Sequence, residues 1–131
     1  MNQQIDATHK QALLLVNLGS PDSTDVGDVK RYLDEFLMDK YVIDLPTIFR
    51  WLLVKGIILN TRPKKSAEAY RKIWWEEGSP LIVLSKRLVQ KVAQKLTMPV
   101  GLAMRYANPS IEEGIQKLVD KNPGLEEIIL F

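Results

Sequence analysis

Arg105 and Tyr106 stand side by side in Arg105-Tyr-Ala-Asn-Pro109, directly after an apolar run. Together they offer a forked cation for a carboxylate or phosphate and a flat aromatic surface with a hydroxyl tip. From the residues alone, an exposed arginine beside a packed tyrosine is an equally good reading. Position at a strand exit is what raises the functional one, because open α/β sheets bind ligands beyond the carboxyl ends of their strands. Asn17-Leu-Gly-Ser-Pro21 is the second segment so placed, and Gly19 would let the backbone approach a ligand closely. It could hold a phosphate ahead of the following helix, but its spacing matches neither GxGxxG nor GxxxxGKS/T. On spacing alone a tight strand-to-helix turn is the simpler reading.

Five cations, Arg62, Lys64, Lys65, Arg71 and Lys72, gather around a single Glu68, next to the very apolar stretch Ile48 to Leu59. A solvated basic face is the ordinary explanation. The juxtaposition also suits a ligand with a broad apolar body and acidic edges, or an anionic membrane surface. Other chemistry is closed off by composition. The 131 residues include one His and no Cys, which excludes a cysteine nucleophile, a disulfide scaffold and any thiolate metal site. His9 stands alone in a polar stretch, so a metal held here would need mainly oxygen ligands. The 18 Lys and Arg against 16 Asp and Glu give a net charge of +2, too small for bulk nucleic-acid binding.

The elements that must position these residues follow from periodicity. Ala12-Leu-Leu-Leu-Val16 is a short continuous apolar run ending in turn residues, as a buried strand should be. Val26, Val29, Leu33, Phe36 and Leu37 recur at helical steps behind Asp25 and Asp28, acids suited to a helix start. A second helix begins near Asp44 to Pro46. Its Ile48, Phe49, Trp51, Leu52, Leu53, Val54, Ile57 and Ile58 cover nearly every face, so it is expected to be buried or to line something apolar, with Asn60 to Pro63 ending it. Ala67, Tyr70, Ile73 and Trp74 mark another helical face. Ser79-Pro80 opens a further helix, for which Leu84, Leu88, Val92 and Leu96 supply the apolar stripe. Pro99 to Met104 reads as a strand, Ser110-Ile-Glu-Glu113 as a capping box opening a helix with Ile111, Ile115, Leu118 and Val119 inward, and Glu127 to Phe131 as another strand.

The pattern predicts an α/β protein: a Rossmann-like open, mostly parallel sheet with flanking helices and a right-handed crossover. The expected organisation is a polar tail at 1–11 followed by one α/β domain at 12–131. Phe131 falls inside an apolar strand with no polar tail behind it, so the domain is expected to be incomplete at its C-terminus, truncated within the sheet, and to expose an edge that invites self-association. Met1 to Lys10 lacks the charged-then-apolar pattern of a secretory leader, which points to the cytoplasm. The Ile48–Leu59 stretch is too short and too interrupted by Arg50 and Lys55 to cross a membrane, though it is suited to touching one.

Taken in order, Leu13-Leu-Leu-Val-Asn-Leu-Gly-Ser-Pro21, Arg62-Pro-Lys-Lys-Ser-Ala-Glu-Ala-Tyr70, Gly78-Ser-Pro80 and Met104-Arg-Tyr-Ala-Asn-Pro109 resemble the N-terminal half of a ferrochelatase. The likeness runs from about Ala12 to Phe131. It implies an enzyme of haem biosynthesis that inserts ferrous iron, a substrate rather than a cofactor, into a proto- or coproporphyrin, with no cofactor required. By similarity Leu18 matches a wall position near the macrocycle, Arg62 and Ser79 match positions on the propionate side, and Arg105 and Tyr106 match an inner-cleft pair. The helix with Phe49 and Trp51 resembles an apolar lip at the cleft mouth, often near a membrane. The family's base and metal-handling groups, a His in a Ser-x-His-Gly motif and a later Glu, have no counterpart in this chain, so no catalytic or metal-ligating residue is expected in it and it should be inactive alone. The family often carries His where Asn108 stands, and no proton or metal role is carried over to that position. An iron-sulfur cluster, where the family has one, uses cysteines outside this region. Three other readings stay open: a non-catalytic porphyrin or haem carrier, a nucleotide-binding Rossmann module, and a membrane-surface domain.

Overall fold

The structure, a computed structural model, describes residues 9–131; of the polar tail expected at 1–11, residues 1–8 lie outside that range. The elements run β1 (Gln11–Gly19), α1 (Val26–Leu37), α2 (Thr47–Leu53), a π-helical turn (Val54–Ile58), α3 (Leu59–Thr61), α4 (Pro63–Ile73), α5 (Pro80–Ala93), β2 (Val100–Tyr106), α6 (Ile111–Lys121) and β3 (Glu127–Leu130). They make the expected α/β fold, with a three-stranded parallel sheet in the order β2-β1-β3 and flanking helices. β1 is the central strand, and this is why its sequence is a continuous apolar run rather than an alternating one. It pairs with β3 from Gln11 opposite Glu127 to Leu14 opposite Leu130. The ladder carries on through Phe131, whose N–H donates to the Leu14 carbonyl at 3.0 Å and whose carbonyl accepts from Val16 at 2.8 Å. β2 and β3 are consecutive strands but not neighbours, so the connection through α6 passes across β1.

The chain divides into two compact units. The first comprises the described residues up to Asn17 with Ser85–Arg105 and Pro109–Phe131, and the second comprises Leu18–Leu84 with Tyr106–Asn108. In the first, Ala12, Leu14, Ala103 and Leu118 form the core, with Val16, Ile111, Ile115, Leu125 and Ile128 packed against it. Small residues let α6 lie close to β2: a Cβ on Gly114 would stand 2.9 Å from the Ala103 Cβ. The expected capping box is present at the start of α6, with Ser110 Oγ accepting from the Glu113 N–H at 3.1 Å and the Glu113 carboxylate accepting from the Ser110 N–H at 3.3 Å. Val119, assigned to the inward face by periodicity, is instead exposed, because Leu118 fills the contact with the sheet.

In the second unit α1 packs against α3 and α4. Val29 and Tyr32 are its buried residues, and Val26 remains exposed. Rings link this packing. Tyr32 stacks on Phe36 with centroids 5.9 Å apart, meets Tyr70 edge-on at 6.4 Å, and Phe36 meets Tyr106 edge-on at 5.2 Å. The Ile48–Leu59 stretch is helical as expected and, of the two alternatives expected for it, burial or lining something apolar, it does not take burial. It is α-helix interrupted by a π-helical turn, and its apolar residues are largely outside: Ile48, Phe49, Trp51, Leu52 and Ile57 are exposed while Arg50, Val54 and Leu59 are buried. Arg50 Nη1 donates to the Leu45 carbonyl at 2.9 Å, which closes the turn ahead of α2. Asn60 reaches back to the Gly56 carbonyl at 2.9 Å and Thr61 to the Ile57 carbonyl at 3.0 Å, satisfying acceptors that the widened turn displaces. On α5, the leucines of the expected stripe at Leu84 and Leu88 are exposed, and Val83 and Ser85 turn inward. Among the described residues no helix is long and apolar enough to cross a membrane.

Candidate functional site

Four of the five residues singled out by sequence, Leu18, Arg62, Ser79 and Tyr106, fall in the second unit, and Arg105 is the residue of β2 that precedes Tyr106 in the chain. Leu18 lies near the end of β1 and is 47% exposed, an apolar side chain presented at a strand exit. After it the backbone turns sharply. Gly19 has φ +115°, and a Cβ there would stand 2.0 Å from the Tyr106 carbonyl oxygen. The glycine therefore does allow a close backbone approach, and the group that approaches is the chain's own Tyr106 rather than a phosphate.

Ser79 precedes α5 and donates its hydroxyl to Ser20 Oγ at 2.6 Å, both serines being buried. Residues 19–20, 79 and 106 thus share one neighbourhood at the exits of β1 and β2. Arg62 stands at the junction of α3 and α4 with its side chain exposed. Arg105 is also exposed. Tyr106 is buried, and its hydroxyl donates to Asp39 Oδ2 at 2.8 Å.

The two residues after Tyr106 are hydrogen-bonded to carboxylates as well. Ala107 occupies the left-handed region at φ +59°, and its N–H donates to Glu35 Oε2 at 3.0 Å. Asn108 Nδ2 donates to both oxygens of Asp22, at 3.0 and 3.3 Å. Sequence reasoning missed these three carboxylates. A signal was present, because Asp34 and Glu35 occupy the last turn of α1 and Asp39 follows it, the end where the helix dipole disfavours negative charge.

The interior beside this loop is apolar enough to alter titration. Burial, followed by the neighbouring Tyr70, pushes the Tyr32 phenol up to about 12, and burial raises Tyr70 as well. His9 lies in the first unit in a pocket with Lys10, Gln11 and Glu126, outside all of these contacts. Among the described residues, no three His, Cys, Asp or Glu side chains gather as metal ligands would.

A parallel α/β sheet with braced loops at the exits of its first two strands defines a Rossmann-type protein. Comparison with known proteins narrows this. The ferrochelatase family model matches residues 10–131, and the chain belongs to the ferrochelatase family. It is 63% identical over 109 residues to a ferrochelatase of Pseudomonas fluorescens (strain Pf0-1), covering 82% of this chain and 32% of that relative. A ferrochelatase of Azotobacter vinelandii (strain DJ / ATCC BAA-1303) is 61% identical over 120 residues, 91% of this chain and 35% of the relative. One of Stutzerimonas stutzeri (strain A1501) is 56% identical over 122 residues, 92% and 35% respectively. The chain therefore spans about a third of the length of the curated relatives it matches.

Proposed function

We propose that this chain supplies one wall of a porphyrin site and that the full-length protein inserts ferrous iron into a proto- or coproporphyrin, releasing the two pyrrole protons. The observation that carries this reading is the family match from residue 10 to residue 131. A porphyrin is a flat apolar macrocycle with carboxylate edges, so its site needs apolar walls and a few cations. The exposed Leu18 at the β1 exit suits the wall, and the exposed Arg62 suits the carboxylate edge. Ser79 is assigned to the same edge, and Arg105 with Tyr106 to the inner side. Insertion also requires that the ring be bent so that nitrogen lone pairs face the ion, and that a base accept the protons. No residue of this chain is assigned as that base, and the chain by itself is inactive in this reading. Exposure of Ile48, Phe49, Trp51, Leu52 and Ile57 on one helical stretch supports a peripheral contact with a membrane surface.

Full-length protein mixed anaerobically with Fe²⁺ and either porphyrin should develop metalloporphyrin absorbance. Arg105→Ala should raise the porphyrin KM by roughly tenfold, as loss of a charged contact does, while the cooperative melt is retained. Absence of the absorbance change with both porphyrins would sink the reading, and porphyrin binding without metallation would leave a carrier in its place.

A further inference from the structure

The loop that follows Arg105 is held by three carboxylates on three successive residues. Asp39 accepts from the Tyr106 hydroxyl at 2.8 Å, Glu35 from the Ala107 N–H at 3.0 Å, and Asp22 from the Asn108 amide at 3.0 Å. Ordinary turn formation does not call for so many. The middle residue is the informative one, because Ala107 is the one non-glycine residue at positive φ among the described residues, at +59°. An L-residue with a Cβ adopts that region at a cost and keeps it only where its surroundings impose it. In that conformation the Ala107 N–H donates to the Glu35 carboxylate, the contact that accompanies the left-handed turn.

The carboxylates are themselves anchored. Asp39 Oδ1 accepts from the Tyr41 N–H at 2.9 Å, which ties the carboxylate to the turn after α1. Phe36, one position from Glu35, packs edge-on against the Tyr106 ring. Gly19, whose missing Cβ leaves room for the Tyr106 carbonyl, precedes the Ser20-Pro21-Asp22 turn that delivers the third acid. Contacts from the β1 exit and from the end of α1 therefore converge on one tripeptide.

We propose that Asp22, Glu35 and Asp39 are positioning residues: by holding Tyr106, Ala107 and Asn108 in one conformation, they fix the course of the chain leaving Arg105 and so the direction from which Arg105 meets the porphyrin. This rests on the proposed role of Arg105 in substrate handling. Glu35 is the central member, because it sustains a backbone conformation that alanine does not choose by itself.

The test uses full-length protein and steady-state metallation, with ferrous iron and porphyrin varied separately. Glu35→Ala should raise the porphyrin KM by roughly tenfold, as misplacement of a binding group does, while the KM for iron stays within about twofold. Glu35→Gln keeps an oxygen that can accept from the Ala107 N–H and should restore the porphyrin KM to within about twofold of wild type. A merely structural lesion lowers the active fraction instead, reducing kcat with both KM values intact. That pattern in Glu35→Ala, or an equal KM defect in Glu35→Gln, overturns the proposal. Should Glu35→Ala fail to fold, Asn108→Ala carries the test at an exposed side chain, and an unchanged porphyrin KM there counts against positioning. Arg105→Ala separates the two levels of inference. If it raises the porphyrin KM while Glu35→Ala and Asn108→Ala do not, positioning is wrong and the substrate reading stands. If Arg105→Ala itself leaves that KM unchanged, the substrate reading fails and the positioning role falls with it.

Discussion

Gly19 shows how much a single residue decides here. Its backbone lies at φ +115°, and the space where a Cβ would go is filled by the Tyr106 carbonyl oxygen at 2.0 Å. Gly19→Ala must either displace the end of β2 or move the turn that carries Ser20 and Asp22. The expected cost is about 3 kcal/mol or more, from a disallowed conformation and a backbone clash together. Denaturant titration checks this, and a midpoint equal to wild type would mean that the two strand exits are not tightly registered. A glycine permitting close approach was legible in the sequence. Which group comes close was not, because Tyr106 is distant along the chain and only folding brings the exits together. Tyr106 carries the same lesson. Beside Arg105 it reads equally well as a presented aromatic surface or as a packed ring next to an exposed arginine, and the fold takes the second course: its ring is buried against Phe36 and its hydroxyl is engaged by Asp39.

At the scale of elements, periodicity located the helices and strands well and their faces less well. The Ile48–Leu59 stretch is helical, as its composition requires, but apolarity all round does not say whether protein, ligand or lipid meets it. The fold turns Arg50 and Val54 inward and leaves Ile48, Phe49, Trp51, Leu52 and Ile57 outside. Peripheral membrane contact through this surface predicts that full-length protein co-sediments with anionic vesicles. The Phe49→Ser/Trp51→Ser double variant should lose most of that binding, because two large aromatic anchors are removed from the contact, while metallation of a water-soluble porphyrin persists. Vesicle binding that survives both substitutions would assign the exposed patch to something other than lipid. On α6 the reading was better. Ser110 and Glu113 form their capping box because both partners are local, three residues apart, and need no tertiary information.

For the molecule as a whole, the tyrosine-rich interior of the second unit makes stability depend on alkaline pH. Burial pushes the Tyr32 phenol up from an ordinary value of 10.0 to about 12, so folding favours its neutral form. The stabilisation this represents is fully present below about pH 10 and is lost as pH rises toward about 12, since the unfolded chain ionises first. Thermal midpoints should therefore fall across that window. Tyr32→Phe has no proton to lose there and should show a shallower decline, and identical slopes for the two proteins would remove Tyr32 from the cause.

The sequence by itself determined the α/β class, the order of the elements, the capping box of α6 and, through four ordered motifs, the family to which the chain belongs. These depend on contacts between near neighbours or on residue patterns that survive without coordinates. Only the tertiary structure decided that β1 lies between β2 and β3, that Gly19 makes room for Tyr106, and that Asp22, Glu35 and Asp39 brace the loop behind Arg105. Each of these joins residues far apart in the chain. Local propensity carries no information about such pairs, and only the packing of the sheet and helices chooses them.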